Sequence, residues 1–211
     1  MLNRTFSIMA IGLLFIIGNS FNNADLYASD YTKRMPVKGY IKANPKYLPS
    51  FCKYTRDGDF ESPQSERYWK IIGPGWSHMH HYCRGIDKTF SSFKIKDTKK
   101  RKFQLNTVIG EFDYILKRTD STFKLRPNIL VKKGDVYMLL EENVKAVQHY
   151  ITAIKLRPDF VPAYVRLSNL YTSAGEPVKA RQLLKRGLKY SPKSELLKRK
   201  LAELNVPKKK Q

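Results

Sequence analysis

The 211-residue chain has two cysteines, Cys52 and Cys83, and only 18 acidic residues against 40 Lys and Arg. So few cysteines exclude a small disulfide-built scaffold and allow a single intramolecular bridge at most. The scarcity of acid leaves a formal charge of +22. A surplus of that size bears on solubility, partner sign and association rate, and not on fold. Long hydrophobic runs are also missing. The one apolar stretch, residues 6–17, falls short of the ~20 residues a helix needs to span a bilayer. No glycine-rich phosphate loop occurs, since Gly73-Pro74-Gly75 reads as a helix break, and no serine has a nucleophile-elbow setting. The neighbouring acids Glu141-Glu142 and Glu111 with Asp113 would diverge on a helix. The chain therefore reads as a non-enzyme, with no catalytic residue and no cofactor.

What is present begins with the N-terminus. Arg4 precedes the apolar stretch, Gly18 to Asn23 break it, and Leu26-Tyr27-Ala28 offers a small residue for cleavage. Residues 1–28 are expected to be a signal peptide, with membrane anchoring as the alternative. Losing them removes one base, Arg4, and one acid, Asp25, so the charge stays at 39 − 17 = +22. Export, most simply to the periplasm, would make nucleic acid an improbable partner. An even cysteine count in an exported chain favours a Cys52–Cys83 disulfide over two buried thiols. Closing that roughly 30-residue loop would add roughly 3 to 4 kcal/mol of stability.

Residues 29–62 read as an irregular arm, broken by Pro36, Gly39, Pro45, Pro49 and Gly58 and studded with aromatics that could tie it to a helical surface. Residues 63–126 read as a degenerate helical hairpin region. Helices are expected over 65–72, 76–93 and 103–117, with 94–102 as a basic connection.

Two stretches then repeat at a spacing of 34. Gly134, Tyr137, Ala146, Tyr150, Ala153 and Pro158 return as Ser168, Tyr171, Ala180, Leu184, Gly187 and Pro192. The repeats span 127–160 and 161–194, with helices expected over 128–140, 143–156, 161–174 and 177–190. Small residues at 134/168 and 146/180 would let paired helices approach closely, and the prolines would end each second helix. Residues 195–211 would be a capping helix and basic tail. The expected fold is all-α, a superhelix of stacked hairpins behind an irregular arm.

Residues 127–194 resemble the tetratricopeptide repeat family in these small, aromatic and proline positions. Lys133 departs from the pattern, because leucine is usual there and Leu167 obeys; it is expected to mark a looser edge toward the upstream segment. The chain is also similar to small exported bacterial proteins that join such repeats to a His-His-Tyr-Cys segment, a likeness that implies no activity. The family resemblance implies a concave groove for a peptide or protein partner. Its lining would be Asn128, Val131, Asp135, Met138 and Leu139, then Pro162, Val165, Asn169, Thr172 and Ser173. The charge implies a partner of acidic character; the oligomeric state is left open.

Two other readings rest on the residues alone. His78, His80, His81 and Cys83 carry copper or zinc ligand types, but consecutive helical residues diverge, so Cys52 or another group would have to complete a site. Alternatively, the basic surface could attach the protein to anionic envelope surfaces or membrane.

Overall fold

The computed structural model describes residues 48–204. The expected signal peptide, the first part of the arm (29–47) and the basic tail after 204 lie outside them. Among the described residues there are eight α-helices and no strands. They are α1 (Pro63–Ile72), α2 (Met79–Ser92), α3 (Thr98–Arg118), α4 (Arg126–Leu139), α5 (Asn143–Leu156), α6 (Val161–Ser173), α7 (Pro177–Tyr190) and α8 (Glu195–Glu203). Helices α2/α3, α4/α5 and α6/α7 are antiparallel pairs stacked in chain order, and α8 covers the open side of α6 and α7.

Local chemistry explains most boundaries. The Ser62, Asp97 and Ser194 side chains accept backbone N–H bonds at the starts of α1, α3 and α8, supplying partners that a first helical turn lacks. Proline opens α1, α4, α6 and α7, where its missing N–H costs nothing. The two repeat turns share one hydrogen-bond pattern. Glu142 N–H donates to the Tyr137 carbonyl and Glu176 N–H to the Tyr171 carbonyl, both at 2.8 Å. Each turn needs one residue at positive φ: Gly175 at 75°, and Glu141 at 65° where glycine would be easier.

The helices of a pair meet where side chains are small. A Cβ added to Gly134 would sit 2.5 Å from the Tyr150 ring, so the ring occupies the space that glycine leaves. Ala146 and Ala180 are fully buried at the corresponding contact. Helix α4 serves two cores. Its Ile129 and Val136 pack with Trp76, Met79, Ile86, Val108 and Phe112, while its Leu130 and Val131 pack with Tyr150, Tyr164, Val165 and Leu167.

The arm is fastened as expected where it can be described. A short 3-10 turn, Ser50–Tyr54, carries Cys52, which is bonded to Cys83 of α2 with the Cα atoms 5.7 Å apart. Leu48 joins the first core and Phe51, Tyr54 and Phe60 pack against it. Most helices match the expectation to within two residues, and two elements differ by more. Residues 74–78 form a 3-10 turn before α2, because Gly73 at positive φ and Pro74 break the register. Helix α3 starts at Thr98, not at 103, because the Asp97 cap initiates a helix through basic residues that have no apolar stripe. Lys133 does not loosen the joint. It is buried, and its ammonium donates to Asp113 of α3 at 2.5 Å.

Candidate functional site

The first helices of the hairpins meet one another along the stack, α2 with α4 and α4 with α6; the side they form is called the inner face. Between α2 and α4 lies a small open cleft lined by Ile86, Thr89, Phe90, Phe93, Phe112, Lys132, Asp135 and Leu139. Its walls are mainly apolar, and its charged groups come from the two α4 residues Lys132 and Asp135.

Asp135 is only 4% exposed. Its Oδ1 accepts a bond from the Tyr150 hydroxyl at 2.8 Å and pairs with Arg166 Nε of α6 at 3.1 Å. Its Oδ2 is buried without a hydrogen-bond partner among the described residues. A buried carboxylate oxygen in that state carries a desolvation cost. Tyr82 lies near this charge. Burial, with the Asp135 charge adding to it, pushes its phenol well above the usual range, so it stays protonated.

The ten residues expected to line the groove divide by exposure. Asn128, Met138, Leu139, Asn169 and Thr172 are half-buried, and Pro162 and Ser173 are exposed. Val131, Asp135 and Val165 are buried instead. The reason is packing between repeats: α4 meets α6 directly, the two valines enter the second core, and the Asp135–Arg166 pair closes the gap between the helices. Asp135 and Leu139 are the members that reach the cleft. The opposite wall, Ile86, Thr89, Phe90 and Phe93, has no counterpart in the expected set, because the upstream hairpin departs from the repeat pattern. The signal available was the pair Phe90 and Phe93 at the end of an otherwise amphipathic helix.

The histidine-rich segment does not form the ligand set of the alternative metal-binding reading. Cys83 and Cys52 are consumed by their disulfide, which removes both thiolates. His81 stacks on Tyr114 at 3.7 Å and its Nδ1 lies 2.6 Å from Glu111 Oε2, while His78 meets the Tyr114 edge. Among the described residues no three His, Cys, Asp or Glu side chains converge to hold a metal. Burial would raise the Glu111 carboxyl, but hydrogen bonds from Lys88 and His81, and their charge, hold it below its ordinary value. His80 is pushed down to about 4, first by burial and then by the neighbouring His81 and Arg84, with Asp57 opposing. His149, stacked on Tyr137, is likewise pushed down to about 4 by burial and by Lys133. These groups lock α2 to α3 and α4 to α5.

Residues 138–204 match the tetratricopeptide repeat family. The match takes in the end of the first repeat, the whole second repeat and the capping helix. Among solved structures, the first TPR of Spaghetti (RPAP3), bound to the HSP90 peptide SRMEEVD, aligns with 14% identity and a TM-score of 0.40, covering 57% of this chain and 91% of that one. No curated protein matches the chain.

Proposed function

We propose that this protein is a non-catalytic scaffold that holds an extended segment of a protein partner on its inner face, anchored in the cleft between α2 and α4. The carrying observation is the combination of an apolar cleft with the unpartnered, buried Asp135 Oδ2. An apolar side chain of the partner would rest against Phe90, Phe93 and Leu139 at the mouth of the cleft. Acidic residues flanking that anchor suit a chain of charge +22, which would speed the encounter more than it tightens the complex. The basic Arg4, the apolar 6–17 segment and Ala28 support an exported, periplasmic protein cleaved near Ala28.

Phage display of random peptides against the purified chain, followed by calorimetry of a selected peptide, tests the site. Leu139→Asp and Phe93→Ala should each weaken the selected peptide by at least about tenfold, and Lys185→Glu on the opposite face should not. A selected peptide that binds all three variants as it binds the wild type would place the partner elsewhere. Intact mass of the natural protein, with and without reduction, tests export: residues 1–28 should be gone.

A further inference from the structure

Helix α3 has 21 residues and its counterpart α5 has 14, a difference of 21 − 14 = 7. The two helices register on their partners in the same way. Phe112 of α3 lies against Gly85 of α2, and Tyr150 of α5 lies against Gly134 of α4. Phe112 is residue 15 of its helix (112 − 97) and Tyr150 is residue 8 of its own (150 − 142). All seven extra residues therefore fall at the N-terminal end, 98–104. They carry α3 about 10 Å further, past the level at which α5 begins. Because successive helices are antiparallel, the turns within all three hairpins lie along that same edge.

The extension is Thr-Lys-Lys-Arg-Lys-Phe-Gln. Lys94 and Lys96 precede it, so six bases gather here against one acid, Asp97, whose carboxylate is bonded to the Lys100 N–H. All six bases are exposed, and none is in an ion pair among the described residues. Phe103 lies on the side of α3 opposite Leu105, Val108, Phe112 and Ile115, one turn from Lys99. Phe103 at 73%, Val144 at 67% and Val178 at 56% are the three most exposed large apolar side chains of the described residues. Each stands in the opening turns of the second helix of a hairpin, on this same edge. Such a coincidence is not expected of scattered surface apolars.

We propose that this edge docks on an anionic lipid bilayer, with Phe103 entering the headgroup region and Lys99, Lys100, Arg101 and Lys102 meeting lipid phosphates. An exposed aromatic within a basic helical turn has the composition of an interfacial contact. The row of apolar side chains across three hairpins favours a planar bilayer over a soluble polyanion, which would satisfy the lysines and leave the row wet. The proposal is independent of the cleft, which lies on the inner face.

The test uses the full chain, with readouts local to this edge because the 6–17 segment could itself bind lipid. Phe103→Trp is made in a Trp69→Phe background; the remaining Trp76 is 1% exposed and shielded from lipid. On mixed phosphatidylcholine/phosphatidylglycerol vesicles, emission from the introduced indole should shift to the blue and be quenched by brominated acyl chains. Neither should occur on phosphatidylcholine alone. In the wild-type background, replacing Lys99, Lys100, Arg101 and Lys102 together by Gln should lower partitioning onto anionic vesicles roughly a thousandfold, and Phe103→Ala roughly tenfold. Heparin binding should fall with the four Gln substitutions and not with Phe103→Ala. An introduced indole that stays wet and unquenched on anionic vesicles overturns the proposal. So does partitioning insensitive to both sets of substitutions, and heparin bound by the basic turn without any response to vesicles would assign it to a soluble polyanion.

Discussion

The Lys133–Asp113 pair joins the repeats to the upstream hairpin, and its two ends are unequally buried. The Lys133 side chain is 9% exposed and that of Asp113 is 35%. Removing the carboxylate strands an ammonium that has little water. Removing the ammonium leaves a carboxylate that can still be hydrated. Breaking a buried pair typically costs about 3 to 5 kcal/mol, whereas replacing a buried charge by a well-packed apolar group is often neutral or better. Asp113→Ala should therefore destabilise by about 3 kcal/mol, the low end, because the Tyr137 ring lies 5.7 Å from the ammonium and retains part of its stabilisation. That corresponds to a fall in Tm of roughly 6 to 12 °C for a domain of this size. Lys133→Leu, which restores the residue its repeat equivalent Leu167 carries, should stay within about 1 kcal/mol of wild type, on the stabilising side. Urea denaturation followed by far-UV circular dichroism measures both. The reasoning is refuted if Lys133→Leu destabilises as much as Asp113→Ala, because direct attraction, and not unequal desolvation, would then govern the pair. An NMR titration adds an internal check. His149 is held at about 4 by burial first and by Lys133 second, so its pKa should rise in Lys133→Leu without reaching the ordinary 6.5.

The Cys52–Cys83 bridge spans a sequence separation of 31. Replacing both cysteines by Ser should cost roughly 3.5 kcal/mol through loop-closure entropy, read as a lower urea midpoint; an unchanged midpoint would mean the arm is held by its aromatics alone. Two backbone substitutions should stabilise by about 0.5 to 1 kcal/mol each, for opposite reasons. Gly110→Ala, where a new Cβ meets nothing within 4 Å, removes an exposed helical glycine, and Glu141→Gly relieves a side chain held at φ 65°. A thermal shift in the wrong direction for either refutes its assignment. His80 and His149 bind protons at about 4 in the fold and at the ordinary 6.5 when unfolded. The unfolded chain therefore takes up protons first, and stability should fall as pH drops from about 6.5 toward 4. Urea midpoints compared at both ends of that window check the sign, and His149→Phe should shallow the slope.

The repeat period made the second helix of each repeat legible to the residue, and the first helix of each to within one or two residues. The spans 143–156 and 177–190 are the observed α5 and α7, because Ala146/Ala180 and Pro158/Pro192 encode the contact and the stop locally. The N-terminal end of α3 was not legible. Its basic first turns have no buried stripe, so hydrophobic periodicity cannot see them, and only the Asp97 cap marks the start. The cleft was half legible: Asp135 and Leu139 follow from the repeat, whereas Phe90 and Phe93 belong to a hairpin that has lost it. Burial of Val131 and Val165 depends on α4 meeting α6, a tertiary fact with no sequence period. The Lys133 departure was visible, but its meaning lay in Asp113, twenty residues upstream on another helix.

Helix α4 explains why these features gather where they do. An ordinary repeat helix serves one pair and the next, and its polar positions can remain on the surface. Here α4 supplies Ile129 and Val136 to one core and Leu130 and Val131 to the other, which leaves little of its circumference wet. Charges on such a helix must be paired across helices, as Lys133 is to Asp113 and Asp135 is to Arg166. The cleft opens beside the first core, where Phe90 of α2 and Leu139 of α4 pack against its edge. Asp135, whose Oδ2 is buried without a hydrogen-bond partner among the described residues, lines that cleft.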